Sequence, residues 1–251
     1  MKRISKILIT AMALTIAATG VAMATPSTQI WIPSTDVQGF KSLHLGIDNY
    51  IRTSNAHSVE AADGTGFRPN VYVLGLTGGI LPFEKLQAEI GVDYTVNGIN
   101  AADSNPLSFN VKVATPEASL FTFSPALAVG AYGMGTKKDL TNANIVYGLA
   151  AKTLPVVGRL SAGYYVGNDD VLGDDDDGVL LSWDRTLAEI SDKLWVAVDY
   201  QGGDNSFGAF SFGASWAFSK NVSVIFGYDI YNEKSLGGDN TFTTQLDINF
   251  P

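Results

Sequence analysis

Residues Phe242–Phe250 read FTTQLDINF. Phe242, Thr244, Leu246, Ile248 and Phe250 fall on one side of a two-residue period, and Thr243, Gln245, Asp247 and Asn249 on the other. Successive side chains of a strand point to opposite faces, so this stretch has one apolar face and one polar face. The same alternation recurs upstream. Val222, Val224, Phe226, Tyr228 and Ile230 alternate with Ser223, Gly227 and Asp229. Phe210, Phe212, Ala214, Trp216 and Phe218 alternate with Ser211, Gly213, Ser215 and Ala217. Three more segments repeat it, led by Leu160, Leu107 and Leu86. Each segment runs for about ten residues, the length a tilted strand needs to cross a bilayer.

Weaker strands follow the same rule. Leu43, Leu45 and Ile47 alternate with His44, Gly46 and Asp48, and residues 68–77, 126–135, 144–152, 178–187 and 194–201 are rich in Val, Gly, Tyr and Ala. Twelve strands result. Short links, such as 154–158 and 219–221, take turns with long polar ones, such as 54–68, 97–106 and 168–178. The fold class implied is all-β: a transmembrane, antiparallel, up-and-down β-barrel of about twelve strands with both termini at one end. The link 115–125 is long for a short-turn end, and 202–206 is short for the other.

The chain opens with an export signal. Lys2, Arg3 and Lys6 precede an apolar run from Ile7 to Ala18, and Ala22-Met23-Ala24 is a small-residue cleavage site. Three domains are expected: a cleaved signal peptide at 1–24, an extended segment at 25–39, and the barrel at 40–251. Residues 25–39 (TPSTQIWIPSTDVQG) contain Pro26 and Pro33, which argue against helix. Trp31, flanked by Ile30 and Ile32, needs an apolar site. Folding into the lumen as a plug and packing at the periplasmic rim both supply one.

Composition excludes several classes. The chain has no Cys, which removes disulfides, thiolate metal sites and covalent haem. With two His, a His-rich metal centre is also out. The net charge is −9, and loss of Lys2, Arg3 and Lys6 makes the mature chain more acidic still, which argues against nucleic acid as a partner. There is no G-x-S-x-G and no H-E-x-x-H. Ser54-Asn55 lacks the Gly that outer-membrane phospholipases place next. Gly135-Thr136-Lys137 reverses the order of a phosphate loop. No enzyme activity and no cofactor are expected.

Thr28–Val37 (TQIWIPSTDV), Trp183–Tyr200 (WDRTLAEISDKLWVAVDY) and Val222–Asn232 (VSVIFGYDIYN) resemble a family of uncharacterised small porin-like outer-membrane barrels of metal-reducing anaerobic bacteria. The resemblance covers most of the mature chain. It implies an outer-membrane location and a barrel fold, and no particular activity. The carboxy-terminal stretch ending in Phe250 resembles the signal read by the outer-membrane assembly machinery, departing from it in the trailing Pro251.

The candidate functional residues are the charged groups on inward faces. Asp48, Glu89, Asp93, Asp199, Asp229 and Asp247 carry negative charge there, opposed by Lys112 and Arg159. Charges lining a barrel tune its selectivity. Their acidic surplus predicts a porin-like channel with a mild preference for cations. Inward Gly91, Ser161, Gly163 and Gly213 leave room for an open lumen. The competing reading is a closed barrel whose charges pair with each other and whose external loops meet a partner. A sheath for a redox protein and a soluble periplasmic β-protein are further alternatives. Asp174–Asp177 form a loop-tip acidic run, either solvated or holding a divalent cation. Outer-membrane lipid, lipopolysaccharide and the assembly machinery are the partners expected; the sequence does not speak to oligomeric state.

Overall fold

A computed structural model describes residues 28–54, 70–98 and 100–251. The expected signal at 1–24, residues 25–27 and most of the first long loop lie outside the described residues. Twelve strands are present: β1 (Leu43–Arg52), β2 (Val71–Gly79), β3 (Gln87–Val96), β4 (Leu107–Thr115), β5 (Ala126–Gly135), β6 (Asn142–Leu154), β7 (Gly158–Val166), β8 (Asp177–Thr186), β9 (Leu194–Gln201), β10 (Ala209–Ala217), β11 (Val222–Tyr231) and β12 (Thr241–Phe250). Each pairs antiparallel with its sequence neighbours, and β1 pairs with β12 from Leu43↔Phe250 to Arg52↔Thr241, closing the barrel. Closure removes the row of unpaired N–H and C=O groups that an open edge would present.

Leu43 and Phe250 meet at one end, which therefore carries both termini. The other end carries the loops, with single-turn helices α1 (Asn100–Asp103), α2 (Asp169–Leu172) and α3 (Lys234–Gly237). At the terminal end the long link 116–125 is folded on itself, with Ala118 N donating to Ser124 O and Ser124 N to Phe121 O. At the loop end the short link 202–208 is pinned by Asn205, whose side chain accepts from the amides of Phe207 and Gly208.

The barrel is apolar outside and polar inside. Ile90, Phe212 and Phe226 are 52%, 43% and 50% exposed, whereas inward Glu89, Ser211 and Gln245 are 2% or less. A soluble β-protein would bury its aromatic stripes instead, so that alternative is set aside. Apolar side chains of this size around a closed sheet are what lipid contact demands.

One irregularity matters for the interior. The β5–β6 register shifts between Tyr132 and Met134, and Gly133 sits at φ +65, a conformation that other residues adopt only under strain. Just before this bulge Tyr132, on the same face of β5 as buried Ala126 and Ala128, reaches across the lumen, where its hydroxyl donates to Gln201 Oε1 on β9 at 3.2 Å.

A charge placed on the outward face should be costly in lipid. Phe226→Lys, near the middle of β11, is expected to lower the unfolding free energy of the barrel in phospholipid vesicles by about 2–4 kcal/mol. A urea titration of refolded protein checks this, and an unchanged midpoint would mean that the face does not meet lipid.

Candidate functional site

A twelve-stranded barrel is wider than the eight-stranded ones whose side chains alone fill the interior. Here residues 28–39 occupy part of that space. Thr28 and Pro33 are bridged, and Gln29 N donates to Ile32 O at 2.8 Å, so the segment turns back on itself around Ile30 and Trp31. The amides of Ile30 and Trp31 both donate to Asp199 Oδ2 on β9, at 2.8 and 3.0 Å. Across the lumen, Gln245 Nε2 on β12 donates to the Ile30 carbonyl at 2.7 Å.

The two isoleucines anchor this turn. Ile30 packs with Trp195, Ala197 and Ile225. Ile32 enters a second cluster with Ile145, Tyr147, Leu149, Tyr165, Leu172 and Leu180. Fully burying such a side chain stabilises by about 1.5–3 kcal/mol. The expectation that small inward residues leave free space is corrected at Gly213. Ile30 Cδ1 lies 3.0 Å from where a Cβ would stand there, and Ile30 Cγ2 lies 3.0 Å from the equivalent point on Gly227. Small residues on β10 and β11 make the seat for Ile30.

Residues 34–39 then cross the terminal end of the lumen on charged groups. Asp36 Oδ2 accepts from Arg159 at 2.6 Å, and Arg159 Nε also donates to Asp184 Oδ1 at 2.9 Å. Lys112 Nζ donates to the Asp36 carbonyl at 2.6 Å and pairs with Glu89 at 3.0 Å. Glu89 Oε2 accepts from Gln38 N at 2.8 Å, and the Gln38 side chain donates to Asn249 Oδ1 at 3.2 Å.

Trp31 turns the other way, with its indole N–H donating to Phe207 O at 2.8 Å. Its ring meets Tyr50 and Tyr231 edge-on, at 5.4 and 5.5 Å between centroids. Two cavities flank this aromatic cluster. One of about 210 Å³ lies among β1–β6 and β12, with Asp48, Glu89, Asp93, Lys112 and Asp247 in its wall. The other, of about 480 Å³, reaches the loop end, with Arg52, Asn97, Asn105 and Gln201 in its wall. Both are bounded by Trp31, Tyr50, Val73, Asp93 and Tyr132, so this ring of side chains stands between them.

The eight charged residues singled out from sequence therefore separate into three groups. Glu89, Lys112, Arg159 and Asp199 hold the luminal segment. Asp229 and Asp247 bond within the wall, accepting from Thr241 Oγ1 at 2.7 Å and Ser223 Oγ at 3.3 Å; Asp247 also borders the smaller cavity. Asp48 and Asp93 face that cavity, with Asp93 Oδ2 accepting from Asn110 at 3.0 Å.

Sequence reasoning missed Asp36 and Asp184, the partners of Arg159. Asp184 shares the parity of buried Ser182 on β8, a signal that was available. It also missed Ile225, an inward apolar group on a face read as polar, and the inward direction of Tyr132 on β5, whose faces the sequence did not assign. Two carboxylates of the acidic run at 174–177 bond within the loops: Asp175 accepts from Asp204 N at 2.6 Å, with its carbonyl accepting from Asn205, and Asp177 accepts from the Tyr164 hydroxyl. No group of three acidic or His side chains among the described residues converges for a metal.

No protein-family model matches the chain, and no curated protein does. Solved structures are similar in outline. An outer-membrane channel from Pseudomonas putida F1 is 13% identical with a TM-score of 0.49, over 91% of this chain and 98% of that one. The KdgM porin is 9% identical with a TM-score of 0.48, over 84% and 98%. The outer membrane protein Omp33 of Acinetobacter baumannii is 10% identical with a TM-score of 0.43, over the same shares. At such values the likeness says nothing of solute or mechanism.

Asp199→Ala removes the acceptor of two buried amides, and leaving such groups unpaired costs about 1–3 kcal/mol each. Hydrogen exchange at Ile30 and Trp31 should accelerate by at least tenfold in that variant while exchange in the strands holds. Equal protection in both proteins would mean that the isoleucines alone fix the segment.

Proposed function

We propose that this protein is a narrow outer-membrane channel for small hydrophilic solutes, with a mild preference for cations. Its own amino-terminal segment restricts the bore. The observation that carries this reading is the pair of cavities that lie on either side of one shared ring of side chains, Trp31, Tyr50, Val73, Asp93 and Tyr132. Asp48 and Asp93 supply the negative charge on that path. Lipid and lipopolysaccharide are the partners that suit the outward apolar belt. The assembly machinery suits the aromatic terminus at Phe250. Diffusion along the lumen needs no cofactor.

A closed barrel without transport is the second reading. The path of residues 34–39 across the terminal end favours it, since Asp36, Arg159, Lys112 and Glu89 bond to each other there.

Planar-bilayer recording of purified, refolded protein separates the two. The channel reading expects discrete steps and a reversal potential on the cation side under a salt gradient. Asp93→Asn should shift that potential toward zero. Deleting residues 25–39 should raise the unit conductance severalfold, because residues 28–39 occupy lumen. Silence from both the folded full-length protein and the deletion would overturn the channel reading; silence from the full-length protein alone would favour the closed barrel.

A further inference from the structure

The wall of the smaller cavity has a feature that the luminal segment does not use. Gly46 on β1 and Gly75 on β2 are cross-strand partners. Their missing side chains leave a hollow. A Cβ on Gly46 would lie 3.4 Å from His44 Nε2 and 3.9 Å from Asp48 Oδ1, and one on Gly75 would lie 2.8 Å from Asp93 Oδ1. Three polar groups, two on β1 and one on β3, therefore border one space.

Their bonding is incomplete. Asp48 has no hydrogen bond or ion pair with any described residue. His44 is 3% exposed, and its Nδ1 is satisfied by Asn249 Oδ1 at 3.1 Å. Its Nε2 has no hydrogen-bond partner and stands 3.6 Å from Asp247 Oδ1, beyond bonding reach. With Nδ1 donating, Nε2 is an acceptor. The nearest cation in the wall, Lys112, is engaged by Glu89 and the Asp36 carbonyl. The hollow is thus rich in acceptors and short of donors, and an unpaired carboxylate away from bulk water is costly. The wall of the same cavity also carries the aromatic rings of Trp31, Tyr50, Tyr132 and Tyr147. Aromatic faces attract cations and pack against hydrocarbon.

The geometry points to a binding site for a small organic ammonium ion. Its NH3+ head would sit over Gly46 and Gly75, donating to Asp48 and Asp93. Its few-carbon body would lie against Trp31 and Tyr50. A cavity of about 210 Å³ falls below the size that takes drug-sized ligands, which confines the guest to a few carbons. A metal ion fits less well, since no three carboxylate or His side chains among the described residues converge at ligand distances. This deepens the channel reading and rests on it for the route of entry past Trp31.

Calorimetric titration of the full mature protein in detergent tests it, with n-butylammonium chloride as the probe. Ammonium chloride lacks the body, and n-butanol lacks the charge. One saturable site for n-butylammonium is expected, with at least tenfold weaker binding of ammonium and none of butanol. Asp48→Asn should weaken binding at least tenfold. Gly46→Ala, whose new methyl makes only ordinary contacts, should do the same by filling the hollow, and it guards against a folding failure in the first variant. Equal binding of ammonium and n-butylammonium, binding unchanged in Gly46→Ala, or no binding because the chain's own amino-terminal residues hold the space would each overturn the site. Conductance without binding removes the site and leaves the channel. Binding by a protein silent in bilayers does the reverse.

Discussion

A backbone amide in apolar surroundings must be hydrogen-bonded, and that constraint sets the rest of this structure. The strands carry large apolar side chains on one face, so that face cannot meet water without penalty. A sheet with such an exterior cannot keep an open edge, and β1 closes on β12 over ten residue pairs from Leu43↔Phe250 to Arg52↔Thr241. Closure with twelve strands then creates an interior that inward side chains do not fill. The interior is completed from within the same chain, by residues 28–39.

The segment is held by two kinds of interaction with different energetics. Ile30 and Ile32 bury apolar surface on the β6–β11 side, and that burial is favourable without reservation. The Asp36–Arg159–Asp184 and Glu89–Lys112 contacts lie at the terminal end, where desolvation offsets most of the Coulomb gain. The isoleucines therefore supply most of the holding energy. The charged pairs determine where the backbone of residues 34–39 runs, because each has a single partner set that satisfies it. Asp199 joins the two modes: its carboxylate fixes the turn that points Ile30 and Ile32 into their seats and Trp31 away from them.

What could be read from sequence follows from which interactions are local. The two-residue period of FTTQLDINF assigns faces without knowledge of any partner strand, and seven strands were legible in this way; the other five were legible only as runs rich in Val, Gly, Tyr and Ala. The period also gave the inward direction of Asp48, Glu89, Asp93, Lys112, Arg159, Asp229 and Asp247, whereas Asp199 stands in a strand without such alternation. The position of TQIWIPSTDVQG was not, since it has no period and its partners lie up to 215 residues away, as with Gln245 and Ile30. Tyr132 escaped because β5 carries apolar residues and glycine on both faces, so no polar–apolar period tells its inward side from its outward one. Ile225 escaped because an apolar group on a polar face has meaning only once Ile30 is known to touch it.

The lumen is consequently two different surfaces. The β6–β11 side combines apolar seats with polar groups such as Arg159, Asp184 and Asp199, and is taken up by the segment. The β1–β5 side keeps its carboxylates, its aromatic rings and the remaining space. The apolar seats of the segment thus sit on one wall and the carboxylates Asp48 and Asp93 on the other, with Glu89 and Lys112 serving both the segment and the cavity. Trp31, fixed by its neighbours Ile30 and Ile32, forms part of the ring between the cavities. On the channel reading, a change at Gly213 or Ile225 would act on how firmly the bore is restricted, and a change at Asp48 or Gly46 on what may occupy it. Trp31 is where the two become one property: any motion of the turn that carries it widens or narrows the passage that Tyr50, Asp93 and Tyr132 complete.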